Sequence, residues 1–298
     1  MEYLALATRP KSTRLRDYVT LTKPRIITLL VITAYCAMIV AKGAIPNLAL
    51  TVNTLGGLAL SVGGAHAINM WYDRDIDQLM ERTRRRPLPS GRMAPSEALT
   101  FGIFLETASF VWLQGHVNWL AAETSLAGFL FYVVVYTFWL KRRTPQNIVI
   151  GGAAGAFPPL VGWAAVTNHL AWTPWLMFLV IFLWTPPHFW ALALYKRQDY
   201  QRAHIPMMPV VRGNRATIKQ MVIYAALLLP CSLALHWTDP RLGIWYMGLA
   251  CLLGCAFGGL VASLGIPRLK MRPERVFMAS LFYMAGIFTA MVVTTLMV

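Results

Sequence analysis

The chain has 298 residues, of which 57% are hydrophobic and 13% charged, and its mean hydropathy is +0.53. A soluble domain carries about 25% charged residues, so this composition excludes one and reads as an integral membrane protein. The net charge of +15 invites a nucleic-acid reading, but no RNA- or DNA-binding module is present and the basic residues stand in loops between apolar runs.

Residues 1–21 contain no apolar core followed by a small-residue cleavage site, so they are not a signal peptide. Arg9, Lys11, Arg14 and Arg16 share this stretch with Glu2 and Asp17, and it reads as a cytoplasmic tail, 1–22, ahead of a single transmembrane domain, 23–298. About nine apolar runs of spanning length follow, at 26–42, 48–70, 95–115, 119–139, 147–167, 172–194, 217–237, 243–264 and 276–297. The expected fold is all-α, a polytopic bundle of about nine transmembrane helices. Gly151-Gly152, Pro158-Pro159 and Pro186-Pro187 interrupt several runs, as helices packed against neighbours allow. Cys36, Cys231, Cys251 and Cys255 lie in apolar spans with no acid or histidine beside them, and read as small core residues.

All but two of the 27 Lys and Arg fall on one side of this alternation; Lys42 and Arg241 fall on the other. The positive-inside rule then puts the N-terminus in the cytoplasm and the C-terminus outside. A bacterial inner-membrane protein with its polar loops on the cytoplasmic side is the expected setting. Arg142 and Arg143 read as orientation markers.

The second run ends in Asn69-Met-Trp-Tyr-Asp73-Arg-Asp75-Ile-Asp77. At about 100° per residue, Asn69, Asp73 and Asp77 fall within about 80° of one another, with His66 one turn earlier and Asp75 opposite. Like charges at i, i+4 destabilise a helix, and a carboxylate near lipid costs roughly 2.5 kcal/mol or more. Such a stack calls for a cation, and oxygen ligands with room for phosphate oxygens describe Mg²⁺. Arg82, Arg84, Arg85, Arg86 and Arg92 follow at once, and arginines beside a divalent cation suit a polyphosphate.

The sixth run ends in a second constellation, from Trp184-Thr-Pro-Pro-His188 through Tyr195-Lys196 and Asp199 to His204. On continuous helical spacing His188, Tyr195, Asp199 and Arg202 share one face. His188 and His66 would each stand roughly 16 Å deeper than the acids at the mouth. A ligand or substrate role and a hydrogen-bonded packing role both remain open for these two histidines. His116, His169 and His236 lie at the outer ends of spans and carry no such signal.

Asn69-x3-Asp73-x3-Asp77 followed by Arg82-Thr-x2-Arg86-Pro-Leu-Pro-x-Gly91 resembles the first aspartate motif of the UbiA-type intramembrane prenyltransferases. Trp184-Thr-Pro-Pro-His188-Phe-Trp and Asp199-Tyr-x2-Ala203-His204-Ile-Pro resemble the heme-modifying branch of that family, and the likeness extends over essentially the whole chain, Leu21-Thr-Lys23-Pro-Arg and Lys141-Arg-x-Thr-x2-Asn147 included. Many members carry a second pair of aspartates on the later helix. Here Ala203 stands where the partner of Asp199 would be, so one Mg²⁺ is carried over rather than two.

The resemblance implies nine helices around a central cavity, farnesyl diphosphate and heme b as substrates, Mg²⁺ as cofactor, and heme O as product after water addition. It implies a metal set of Asn69, Asp73, Asp77 and Asp199, with Lys196 completing the catalytic group. Arg82, Arg86, Lys141, Asn147 and Tyr195 would take the diphosphate, and His66, His188, Trp184 and His204 are the heme-binding candidates. The lipid bilayer and a downstream heme A synthase are the implied partners, with no nucleic acid. Three other readings compete. An aromatic-acid prenyltransferase shares the first motif. A transporter accounts for acids in spans but not for the arginine run. A non-catalytic heme-handling protein needs the histidines but not the paired aspartates.

Overall fold

The computed structural model describes residues 11–298, with side chains from Arg14 onward; Arg9 of the basic tail lies outside the described residues. The chain is all-α and belongs in a membrane. Eight of its helices are long and apolar enough to cross a bilayer. They begin with α2 (Pro24–Lys42), α3 (Leu48–Tyr72) and the run Trp119–Leu140. The last five are Asn147–Thr167, Trp172–Tyr195, Gly213–Thr238, Ile244–Ser263 and Pro273–Leu296. A further long helix, α5 (Pro95–His116), has 22 residues and packs along α3. It carries Glu97 and the buried Glu106, which dilute its apolar character.

Four short pieces connect these. α1 (Lys11–Thr22) precedes α2, and α4 (Arg74–Leu79) follows α3. α10 (Arg197–Arg202) and α11 (Met208–Val211) follow α9 (Trp172–Tyr195). α12 (Gly213–Thr238), α13 (Ile244–Ser263) and α14 (Pro273–Leu296) complete the bundle.

Two of the spans are not plain α-helices. α6 (Trp119–Leu130) runs into a π-helical stretch, Phe131–Leu140, and α7 (Asn147–Gly151) joins α8 (Phe157–Thr167) through a 3₁₀ turn, Gly152–Ala156. π-turns inside helices occur mostly at functional sites. This one ends at Lys141.

Backbone contact decides the tightest seams. A Cβ on Gly102 would stand 2.6 Å from Ile68 Cγ1 and 3.0 Å from the Gly64 carbonyl oxygen, so only glycine lets α3 and α5 approach this closely. Ser109 donates across the same seam to the Gly57 carbonyl at 2.7 Å. The largest core cluster gathers α9, α12, α13 and α14 around Trp190, Tyr246, Met221 and Phe257. The cysteines split: Cys231 is buried, whereas Cys251 and Cys255 are exposed on α13, against their reading as core residues. A hydrophobic chain cannot say which of its apolar faces meets protein and which meets lipid.

Candidate active site

α3 does not run on through the acidic motif. It ends at Tyr72, Asp73 forms the junction, and the chain turns into α4. The expected facing survives because the junction is still helical in its bonding: Asp73 N–H donates to the Asn69 carbonyl and Asp77 N–H to the Asp73 carbonyl. Asn69, Asp73 and Asp77 are 2%, 0% and 3% exposed, while the Asp75 side chain is 61% exposed. The chain therefore turns in the three polar groups that the spacing stacks and turns out the fourth.

A line of hydrogen bonds joins four elements here. Lys23 Nζ donates to Asn69 Oδ1 at 2.9 Å, and Asn69 Nδ2 donates to Asp73 Oδ2 at 2.8 Å. With an ammonium on one side and a carboxylate on the other, the amide has only one satisfactory orientation. Asn69 Nδ2 also reaches Thr137 Oγ1 at 3.3 Å. Lys141 Nζ closes the line with a short ion pair to Asp73 Oδ2. Asp77 is held separately, accepting from Arg86 Nη1 at 2.7 Å, and Thr83 Oγ1 braces its backbone carbonyl at 2.9 Å.

Two local features aim these cations. Lys23 adopts the left-handed conformation, φ 53°, between α1 and α2. The following Pro24 disfavours α geometry at that residue, so the two helices cannot merge and the side chain is thrown toward α3. Lys141 is placed by the π-stretch, where i, i+5 bonding stacks Tyr136 under it: its N–H donates to the Tyr136 carbonyl at 2.9 Å and its Nζ lies 5.9 Å from the Tyr136 ring. Thr137 Oγ1 donates in the same i−5 sense to Tyr132 O at 2.9 Å.

The charges act on one another. Loss of solvent, then Arg86 and Lys141, push Lys23 well below the ordinary lysine range against the pull of Asp73 and Asp77. For Lys141 the loss of solvent acts downward, but Asp73, Tyr136 and Asp77 outweigh it and hold the ammonium above its ordinary value. Asp75 is held below the carboxylate range by Arg142, which grips it with bonds of 2.6 and 2.7 Å. Arg142 also donates to the Tyr72 carbonyl at 2.9 Å and stands 3.8 Å from Asp73 Oδ1. It clamps the loop after Lys141 to the α3–α4 junction.

Asp73 Oδ1 is buried and accepts no hydrogen bond. A fully buried carboxylate oxygen with no donor, beside Asn69 and Asp77, is the donor chemistry that suits a hard cation. Asp199 does not join it. α9 stops at Tyr195 and Lys196 joins it to α10, with Lys196 N–H donating to the Leu192 carbonyl and Tyr200 N–H to the Lys196 carbonyl. Among the described residues no three His, Cys, Asp or Glu side chains group as a metal set. Asp199 is half-buried and makes no ion pair among the described residues. Of the expected metal set, the structure brings Asn69, Asp73 and Asp77 together and leaves Asp199 apart from them among the described residues.

The two motif regions do meet, through apolar contacts. Ala203, Ile205 and Met207 pack against Met80, with Ile76 and Tyr200 at the edge. Ala203 is 3% exposed inside this cluster, where a partner acid for Asp199 would be buried against methionine. The other residues of the second motif are dispersed. Tyr195 is exposed with Lys196 Nζ over its own ring at 4.4 Å. His204 is exposed in the left-handed conformation, and Arg82 is exposed. Asn147 donates to the Lys141 and Thr144 carbonyls at 3.2 and 2.7 Å, bracing the turn that carries Lys141. Tyr195, Lys196 and Asp199 thus make no contact with the acids among the described residues, whereas the charge of Arg82 reaches Tyr136 beside Asp73 and Lys141.

The histidines also part company. His66 Nδ1 bonds the Thr22 carbonyl at 3.0 Å, and the charges of Lys23 and Arg86 reach it. It stands within reach of the cations that hold the acids, one turn before Asn69 on α3. His188 is packed between Trp184 and Phe277 on the α9–α14 side. Lys23, Thr137 and Arg142 are members of the site that residue pattern alone did not single out. The one sequence signal was a basic residue directly before a proline at the start of a span.

A bundle of long apolar helices with a buried acid–cation cluster at their ends defines an intramembrane enzyme site for an anionic substrate. Residues 30–292 match the sequence profile of the UbiA prenyltransferase family. The chain is also 57% identical over 281 residues to a protoheme IX farnesyltransferase of Symbiobacterium thermophilum, covering 93% of each chain. It is 46% identical over 280 residues to that of Brucella ovis, covering 93% of this chain and 89% of the other. The chain belongs to the UbiA prenyltransferase family, and within it to the group of the protoheme IX farnesyltransferases. The fold is that of a digeranylgeranylglyceryl phosphate synthase (TM-score 0.79, 18% identity, 96% of this chain and 100% of the other). It is also that of a UbiA homologue from Archaeoglobus fulgidus bound to GPP and Mg²⁺ (TM-score 0.68, 18% identity, 95% and 100%).

Proposed function

We propose that the protein transfers a farnesyl group from farnesyl diphosphate to a vinyl group of heme b, with addition of water, giving heme O. The observation that carries this reading is the buried line Lys23–Asn69–Asp73–Lys141 with its neighbour Asp77–Arg86. Three cations and two carboxylates held together at helix ends suit a diphosphate bridged to a metal ion. The match to protoheme IX farnesyltransferases over 93% of the chain supports heme as the acceptor.

Asn69, Asp73 and Asp77 are the residues that would hold Mg²⁺, which when bound supplies positive charge to the leaving diphosphate. Before substrate arrives, Lys141 and Arg86 neutralise the two carboxylates. When diphosphate enters, these cations and Lys23 turn to its oxygens and stabilise the charge that develops as the allylic C–O bond breaks. The terminal vinyl carbon of heme forms the new C–C bond. Water adds to the cation left beside the pyrrole and loses a proton. Tyr132 and Tyr136 line the approach with aromatic faces, and the apolar spans keep water from the allylic cation until the C–C bond has formed.

We also read α5 as the ninth span, with the N-terminus and the site on the cytoplasmic face of a bacterial inner membrane and residues 23–298 as one domain. The basic residues around the site support this under the positive-inside rule. A heme A synthase is the fitting consumer of the product.

The test is acceptor choice. Purified protein with farnesyl diphosphate and Mg²⁺ is offered heme b or an aromatic acid in parallel. Product on heme alone is expected, and product on the aromatic acid alone would replace this reading with the quinone-precursor one.

A further inference from the structure

His188 is closed in on three sides. Trp184 stacks on its ring with centroids 4.2 Å apart at 19°, and Phe277 with centroids 4.5 Å apart at 27°. Two rings stacked on one imidazole lie on opposite faces, so both faces are covered. Phe189 meets the ring edge-on at 5.1 Å.

Nδ1 lies 2.6 Å from Ser280 Oγ, and the same oxygen lies 2.5 Å from the Phe277 carbonyl oxygen. Two oxygens this close need a proton between them. A serine hydroxyl has one proton, so Ser280 donates to Phe277 O and accepts from His188. The imidazole proton is therefore on Nδ1, and Nε2 carries a bare lone pair. Among the described residues nothing hydrogen-bonds to Nε2. Trp184 Nε1 donates to the Ser280 carbonyl at 2.7 Å, so one serine fixes both the imidazole and the ring stacked on it. His188 is 7% exposed, and the unpartnered Nε2 is not among the fully enclosed polar atoms, so this lone pair is reachable. A neutral imidazole with its other N–H anchored is the form in which histidine binds iron.

His66 has a bare Nε2 by the same reasoning, since its Nδ1 faces a carbonyl. Its neighbours differ. The charges of Lys23 and Arg86 reach it, so it belongs to the diphosphate end. The rings packed against His188 are uncharged and apolar, as the surroundings of an apolar macrocycle would be.

We propose that Nε2 of His188 ligates the iron of the heme substrate, that Ser280 is the positioning residue that fixes its tautomer and ring plane, and that His66 is not a ligand. This rests on the heme reading given above. The probe is hemin, titrated into the detergent-purified full chain and followed by optical and electron-paramagnetic spectra, with binding of Mg²⁺ and farnesyl diphosphate as the check on fold. The wild type is expected to bind one hemin with a nitrogen-ligated spectrum. His188→Gly is expected to lose that spectrum and to regain it with added imidazole. Ser280→Ala is expected to keep the nitrogen ligand with affinity lowered about 10–100-fold. His66→Ala is expected to leave the spectrum unchanged. A wild-type spectrum in folded His188→Gly, or its loss in His66→Ala, overturns the assignment while the acceptor reading stands. Failure of the wild type to bind hemin, with farnesyl diphosphate binding intact, overturns both.

Discussion

Lys23 carries the plainest conflict between stability and function. A cation with little solvent, beside Arg86 and Lys141, is tolerable only where an anion is coming. Lys23→Met is expected to raise the thermal midpoint of the substrate-free protein and to weaken farnesyl diphosphate binding by roughly 1.5–3 kcal/mol, the usual size of a charged hydrogen bond. The sign with pH follows from the lowered pKa. Between that value and about 10.4 the folded protein binds fewer protons than the unfolded chain, so wild-type stability gains on Lys23→Met as pH rises. Thermal scans of both proteins across this range, beside a binding assay, check it; a less stable Lys23→Met with unchanged binding would make the lysine a structural pin. Asp75 behaves oppositely. Arg142 depresses its pKa, so its contribution is present above about 3.9 and fades as pH falls through the lowered value. Asp75→Asn is therefore expected to lower the midpoint at pH 7, with the gap to wild type closing below pH 4.

Elements explain why parts of the site were legible and others were not. The i, i+4, i+8 stack of Asn69, Asp73 and Asp77 was legible because local helical bonding survives the turn at Asp73. The separation of Asp199 from the acids was not legible, because it depends on where two distant segments meet and periodicity within either one cannot show that. The π-stretch was hidden for a different reason: Phe131–Leu140 is uniformly apolar, so no polar pattern marks a change from four- to five-residue spacing. Close seams were hidden too, since a glycine in a span does not announce its partner. Gly102→Val is expected to force α3 and α5 apart, because its Cβ would meet Ile68 and the Gly64 carbonyl. The cost is about 1–3 kcal/mol, the range for overpacking, read as a lowered midpoint in detergent. Gly115→Val, on the same helix with no atom near its Cβ, is the control expected to change little. Equal losses in the two variants would locate the effect in helix propensity.

At the scale of the molecule, hydropathy placed the long helices to within about four residues, and the i, i+4 spacing placed the polar triad. Both signals are one-dimensional and need no partner. Lys23, Thr137, Arg142 and Ser280 gain their roles only when distant segments meet, across 46, 68, 67 and 92 residues respectively. The central claim is that the buried Asn69–Asp73–Asp77 cluster drives prenyl transfer to heme. It is tested most directly by the mass of the heme fraction after incubating heme b, farnesyl diphosphate and Mg²⁺ with wild type, Asp73→Asn or Asp75→Asn. The account predicts farnesylated heme from wild type and, at reduced yield, from Asp75→Asn. The mass gained is that of one farnesyl group and one hydroxyl, since the added water loses a proton, and at least a hundredfold less of this product is predicted from folded Asp73→Asn, the scale on which removing one transition-state contact is felt. Unmodified heme from wild type, or equal yields from the two variants, would contradict it.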